Sequence, residues 1–244
     1  MLGLGNTLSG GIVPAGAAAS SFDNTYSLAF DGSDDRLIIG DVTILDGDNT
    51  FTISTWVKFA SLPTAGNKFV IVSKDEAYEL YIRTSTVDSV VVPWLYLRLN
   101  NGATNNTGTL SISADTWYHI AATHKSDGTD IYLDGSAVGT GLGSQATIND
   151  TSESLGIGAR ANGGYPVPGS IDEVSIFDAA LDASAIAAIY NSGTPTDLSG
   201  ESNLVGYWRM GDGATYPTIP DDSSNSNDGT MTGMTSGDLV EDVP

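Results

Sequence analysis

The sequence contains no cysteine and few basic residues, and both absences narrow the range of functions. Without cysteine, the chain can form neither disulfides nor thiolate metal sites. Its 244 residues include 9 lysines and arginines against 30 aspartates and glutamates, for a formal net charge of −21. Because nucleic acids and anionic membranes are bound by basic surfaces, neither is an expected partner. No apolar run approaches the length of a membrane span.

Short apolar stretches with a period near two recur along the chain and predict β-strands. The clearest is residues 51–59, where apolar side chains alternate, and Asn101-Gly102 and Asp134-Gly135 are typical hairpin turns. One helix is predicted between a capping Asp182 and Gly193, at one end of the sandwich. The pattern predicts an all-β fold, a two-sheet antiparallel jelly-roll sandwich with one short helix.

Four segments divide the chain. Residues 1–21 have no charged side chain and are rich in Gly and Ala, so we interpret them as an extended anchoring arm rather than a secretion signal. Residues 22–193 form the jelly roll, and residues 194–202 are a polar linker. Residues 203–244 carry a further strand and a tail.

Five segments occur in the order found in a known family. They resemble the strands of laminin-G-like jelly rolls in the concanavalin A-like lectin/glucanase superfamily. The segments are Tyr26–Asp35, Phe51–Val57, Trp117–His124, Ile131–Gly135 and Gly169–Leu181. The resemblance implies the predicted sandwich and is less specific for function, because this fold hosts lectins, adhesion modules, enzyme appendages and virion proteins.

The last 40 residues resemble a strand and turn that usually precede the first strand of this family. Leu204–Arg209 and Asp222–Thr230 carry the resemblance. Either a second repeat begins there, or the tail folds back onto the sandwich, which we prefer because an isolated strand cannot bury its face. Together with the Gly-rich N-terminus, the tail also resembles structural proteins of marine tailed phages.

Two functions follow as hypotheses. The first is a non-enzymatic virion structural protein, a capsid decoration or fibre-type component whose exposed jelly roll adheres to host-surface glycans. Its arm, residues 1–21, would dock on other virion proteins or symmetry mates, and the chain would be a homo-oligomer in the assembly. The alternative is a secreted or cell-surface lectin module that binds polysaccharide.

The resemblance also implies a structural calcium ion. In the family, an aspartate beside the first strand and one in the closing strand often meet Ca²⁺, and the matching residues are Asp31 and Asp172. We therefore expect the two carboxylates within a few ångströms of each other. The alternative is that Asp31 serves its Asp-Gly turn and Asp172 accepts backbone hydrogen bonds.

No set of residues has the spacing of a catalytic site. A retaining glycosidase needs two carboxylates on one face, whereas adjacent Asp172 and Glu173 should point to opposite faces of a strand. The two histidines, His119 and His124, should also face opposite sides, one near the core and one in solvent. This spacing argues against a shared metal site or a serine–histidine dyad.

Sugar binding requires an exposed aromatic ring beside polar groups. The candidates are Trp94, Tyr165 and Tyr78, although packing in the core is an alternative for each. Three other tryptophans lie in strands and are expected to be buried: Trp56, Trp117 and Trp208. The sequence does not select a ligand site among these residues.

Overall fold

The structure, a computed structural model, describes residues 22–143 and 147–244. The predicted arm, residues 1–21, lies outside the described residues. The first eight strands are β1 (Ser27–Asp31), β2 (Arg36–Ile39), β3 (Phe51–Phe59), β4 (Lys68–Lys74), β5 (Tyr78–Val87), β6 (Val90–Leu99), β7 (Ala103–Asn106) and β8 (Trp117–Lys125). The next eight are β9 (Gly128–Leu133), β10 (Ser136–Leu142), β11 (Leu155–Ile157), β12 (Pro168–Phe177), β13 (Leu204–Trp208), β14 (Thr218–Ile219), β15 (Gly229–Thr232) and β16 (Leu239–Val240).

The strands form two antiparallel sheets of eight strands each. The first sheet has the order β10-β9-β8-β3-β12-β1-β16, with β13 also paired to β12. The second has the order β14-β15-β2-β11-β4-β5-β6-β7. The predicted all-β sandwich is therefore confirmed.

The main core lies between the two sheets, where alternate apolar side chains of each strand meet. The first sheet contributes Ile53 and Val57 of β3, and the second contributes Leu80 and Ile82 of β5. All four side chains are fully buried, as expected for strands whose inner faces oppose each other. Among the described residues, no helix is long and apolar enough to cross a bilayer.

Helix α1 (Ala183–Tyr190) packs on the outer face of the first sheet. Its N-terminus is capped by Asp182, whose side chain accepts a hydrogen bond of 2.9 Å from Ala185 N. Tyr190 stacks on Trp56 with ring centroids 5.6 Å apart, and Ile186 packs against Ala121. The predicted position at one end of the sandwich was wrong, because apolar side chains on the outer face of β3 and β8 require a cover.

Residues 203–244 contribute strands to both sheets. In the first sheet, β13 pairs with β12 and β16 pairs with β1. In the second sheet, β15 pairs with β2. The core includes Trp208 and Met210 from this segment, both fully buried.

Candidate functional site

Asp31 and Asp172, which the sequence assigned to one calcium site, lie apart. Asp31 is opposite Pro168 in the pairing of β1 with β12, and Asp172 lies four residues further along β12. At about 3.3 Å per residue, this offset is about 13 Å along the strand. The expectation that the two carboxylates meet was therefore wrong.

Asp172 has hydrogen-bond partners within the protein. It is fully buried, and its carboxylate accepts hydrogen bonds of 2.9 Å from Asn24 Nδ2 and from the backbone N–H of Glu173. Burial, reinforced by the charge of Glu173, raises the pKa of Asp172 well above its usual value. A carboxyl group that favours its neutral form and already has two donors does not fit a calcium site.

Asp31 instead lies beside two other aspartates, Asp34 and Asp35. Carboxylate oxygens of the three residues lie within 4.8 Å of one another. Burial raises the pKa of Asp35, and the charges of Asp31 and Asp34 add to the effect. Three carboxylates at the end of β1 and in the turn after it are ligands of the kind that Ca²⁺ takes, so these residues would hold the ion if it binds. Calcium binding stays a prediction.

Calcium at one hundred times its Kd is expected to stabilise the folded chain by about 2.7 kcal/mol, because it binds only the folded form. The Asp34→Asn variant should lose this increment, whereas Asp172→Asn and the exposed-surface control Glu153→Gln should retain it. Thermal melts with and without chelator measure the effect. A melting curve that calcium leaves unchanged would exclude a structural ion.

A β-bulge places Asp172 and Glu173 differently from the sequence prediction. The pairing of β12 with β3 passes from Asp172↔Trp56 to Ser175↔Ser54, so β12 holds one extra residue, and Glu173 has φ 49°. The bulge interrupts the alternation of side chains. Asp172 is opposite Trp56, which stacks on α1, and Glu173 contacts Tyr207 of a separate cluster, so both acids lie outside the core between the sheets and the prediction of opposite faces was wrong.

Glu173 is buried beside Tyr207 and Arg209. The Tyr207 hydroxyl donates to Glu173 Oε2, and Arg209 Nε lies 3.5 Å from Oε1. Burial raises the pKa of Glu173 to about 7, although these two partners lower it in part. Because only 4% of Glu173 is exposed, its carboxyl group is placed for a structural role rather than for contact with a substrate.

Both histidines are fully buried, so the prediction that one lies in solvent was wrong. His119 Nε2 lies 2.8 Å from Ser54 Oγ, a serine–histidine contact that the spacing had argued against. Burial lowers the pKa of His119 to about 3, and Nδ1 has no hydrogen-bond partner among the described residues. A nucleophilic dyad needs a group that orients the base, so this contact fits packing beneath α1.

The outer face of the second sheet carries aromatic and cationic side chains in register. Tyr81 of β5 is opposite Tyr96 of β6, and the two rings stack with centroids 4.8 Å apart. Trp94 extends the stack, 6.3 Å from Tyr96. On the next row, Lys68 of β4 is opposite Arg83 of β5, so rings and cations share one surface.

A second bulge extends this surface with a loop. At Ile71, β4 holds one extra residue, and two of its backbone groups bond to the segment after β11. The carbonyl of Ile71 accepts from Gly158 N, and Val70 N donates to the carbonyl of Tyr165, each at 2.9 Å. The loop thereby brings Arg160 and Tyr165 to the surface, where the guanidinium carbon lies 5.1 Å from the Tyr165 ring centroid.

Glu79, fully buried, anchors three of the cations. Lys68 Nζ and Arg98 bind its carboxylate, the latter at 3.2 Å, and Arg160 Nε lies 2.6 Å away. Lys68 Nζ also lies 4.5 Å from the ring centroids of both Tyr81 and Tyr165. These contacts fix the ring and cation positions before any ligand binds. We call this surface the aromatic–cationic face, defined by Lys68, Tyr81, Arg83, Trp94, Tyr96, Arg98, Arg160 and Tyr165.

Two adjoining cavities open at this face. One, of about 280 Å³, is lined by Lys68, Phe69 and Tyr165 among others, and the other, of about 300 Å³, adds Tyr81 and Arg83. Of the predicted sugar-binding candidates, Trp94 and Tyr165 lie at the face, and Tyr165 is 46% exposed. The third candidate, Tyr78, was wrong, since it is only 2% exposed in the core.

Comparison with known families agrees with this architecture. Residues 31–187 match the family Laminin_G_3, described as the concanavalin A-like lectin/glucanases superfamily. The match covers more than half of the chain, so the chain belongs to this family. The fold is thus one that lectins use to bind carbohydrate.

Three individual proteins are similar to the chain at 26% sequence identity or less. The Adhesion G-protein coupled receptor V1 of Danio rerio is 26% identical over 170 residues, which are 64% of this chain and 3% of the receptor. A candidate carbohydrate-binding protein of Bacteroides ovatus has a TM-score of 0.67 at 19% identity, covering 88% of this chain and 60% of that one. The enzymatically active domain of tailspike protein 2 from bacteriophage CBA120 has a TM-score of 0.52 at 16% identity, covering 78% and 30%.

Proposed function

We propose that the chain is a non-catalytic carbohydrate-binding module and that the aromatic–cationic face is its binding surface. Membership of a lectin and glucanase superfamily supports carbohydrate as the ligand class. The observation that carries the proposal is the exposed ring of Tyr165 beside a cavity of about 300 Å³ with fixed polar groups. Apolar rings and a few convergent polar groups are typical of small-ligand sites.

The rings at the surface are expected to stack on sugar rings. Tyr165 is supported from below by Lys68 and Arg160, so its position does not depend on the ligand. Trp94 is partly exposed and continues the row formed by Tyr81 and Tyr96. Tyr81 and Tyr96 are only 5% and 7% exposed, so Trp94 and Tyr165 are the rings that a sugar can reach.

Replacement of Tyr165 by Ala is expected to weaken polysaccharide binding about tenfold, the equivalent of about 1.4 kcal/mol from one lost aromatic contact. Tyr216 gives a matched control, because it is also 46% exposed but lies outside the face. Tyr216→Ala should bind as the parent does, with both variants folded by circular dichroism. Polysaccharide pull-down followed by titration calorimetry measures the effect; equal affinity of the two variants would place the site elsewhere.

A virion component remains a second candidate, and the lectin module would then act as its exposed adhesive part. Its support is that a phage tailspike protein uses the same fold, together with a net charge of −21 that limits non-specific adhesion. In this proposal, residues 1–21 anchor the chain to other virion proteins or to symmetry mates. Mass spectrometry of purified virions tests it, and secretion of the chain by a cell would favour the extracellular alternative.

A further inference from the structure

The aromatic–cationic face is positive in a strongly acidic chain. Of the nine basic residues in the sequence, four lie on this face: Lys68, Arg83, Arg98 and Arg160. Among the described residues, only Glu79 and Asp75 form ion pairs with them. The face therefore carries two positive charges in excess, whereas the whole chain has a formal charge of −21.

One of these cations has no counter-charge in the part of the chain described. Lys68 is directly opposite Arg83, and like charges in this position on paired strands are destabilising. Lys68 is compensated by Glu79, but no carboxylate of residues 22–143 or 147–244 pairs with Arg83. Arg83 is exposed, so an anion from solution can reach its guanidinium group.

The uncompensated charge and the aromatic rings line the same cavity. Arg83, Lys68, Tyr81 and Tyr165 surround the space of about 300 Å³. A guanidinium group is suited to two parallel hydrogen bonds with a carboxylate or a sulfate, and an aromatic ring is suited to the apolar face of a sugar. A ligand that uses both features is a sugar that carries an anionic group.

We propose that the aromatic–cationic face binds an anionic polysaccharide, with the acidic group of one sugar placed between Arg83 and Lys68. This inference rests on the proposed function and specifies its ligand class. The negative charge over the rest of the molecule repels such a polysaccharide elsewhere and so directs it to this face. The carboxylate of a uronic acid and a sulfate ester share the required chemistry.

Four probes test the ligand class: polygalacturonate, its fully methyl-esterified form, dextran sulfate and neutral dextran. We expect affinity for polygalacturonate or dextran sulfate that falls as salt is raised, and at least about tenfold weaker binding of dextran. If polygalacturonate binds and its methyl ester does not, the carboxylate is the recognised group. If dextran sulfate alone binds, it is a sulfate ester.

Arg83→Gln is expected to weaken binding of the anionic probe at least about tenfold, because it removes a charge-assisted hydrogen bond. Lys125→Gln is the control: it removes the same charge from a side chain 39% exposed on the first sheet, away from the face. Equal binding of anionic and neutral probes, or no effect of Arg83→Gln, would overturn this inference but leave the proposed function intact. Failure to bind any polysaccharide would overturn both.

Discussion

A chain that ends at Gly193 is expected to lose its cooperative unfolding transition and to aggregate. The truncation removes β13 to β16, which pair with three strands of the two sheets. It also removes six buried core side chains, namely Val205, Trp208, Met210, Ile219, Met231 and Met234. At about 1.5–3 kcal/mol for each, their loss is about 10 kcal/mol or more, comparable to the whole stability of a domain.

Deletion of residues 1–21 is the matched control, because it leaves every described strand in place. That variant should melt as the parent does, followed by circular dichroism and by light scattering for aggregation. The same measurements on the chain ending at Gly193 should show a lost transition and increased scattering. A truncated chain with an unchanged melting temperature would show that residues 194–244 are not part of the folding unit.

Glu173→Gln is expected to gain stability relative to the parent as the pH rises. In the folded parent, the pKa of Glu173 is raised from 4.5 to about 7 by burial. Between these values the unfolded chain has released this proton and the folded chain retains it, so rising pH destabilises the parent. Protonated Glu173 thus contributes about 3 kcal/mol to the unfolding free energy of the parent. This contribution is present below about pH 4.5 and is lost by about pH 7.

The comparison between variant and parent is needed because His119 acts in the opposite direction. Burial lowers the pKa of His119 from 6.5 to about 3, so its contribution is present above pH 6.5 and is lost as the pH falls. His119 is common to both chains, and its contribution cancels in the difference. Asp172 acts in the same direction as Glu173, since burial, reinforced by the charge of Glu173, raises its pKa.

Urea unfolding at several values between pH 4.5 and 7.5 measures the difference in unfolding free energy. The exposed control Glu201→Gln should follow the parent throughout this range. If Glu173→Gln and the parent keep a constant difference over the whole range, the carboxyl group is ionised in the folded state throughout.

The fold could be predicted from the sequence because the apolar alternation and the turn residues that define it are local. The alternation over residues 51–59 and the Asp-Gly turn at Asp134-Gly135 each determine a strand or a hairpin without long-range information. The apolar residues over 37–45, in contrast, fit one strand or two short ones equally well, and in the structure β2 ends at Ile39 and a 3₁₀ turn covers Thr43–Leu45. Val42 and Leu45 in that region are buried apolar residues, as strand residues are, so the sequence does not distinguish the turn from a strand.

The candidate site was harder to predict from the sequence because it depends on the register in which the strands pair. Trp94 and Tyr165 were candidates as isolated aromatics, but Tyr81 and Lys68 join them only through the pairing of three strands. The sequence does contain one indication of this face: aromatic and charged residues alternate along β5 and β6, at residues 79, 81, 83, 94, 96 and 98. Bulges give no comparable signal, and the one at Glu173 reversed the predicted relation between two adjacent acids.

The pairing of β1 with β16 has a consequence for the order of events during synthesis. Ser27 is opposite Val240 in the pairing, so the first and last described strands of the sandwich are neighbours. Translation proceeds at about 5–20 residues per second, and β1 therefore waits for seconds before its partner leaves the ribosome. Until then β1 and β2 lack their C-terminal partners, and the strong negative charge of the chain opposes association with its neighbours.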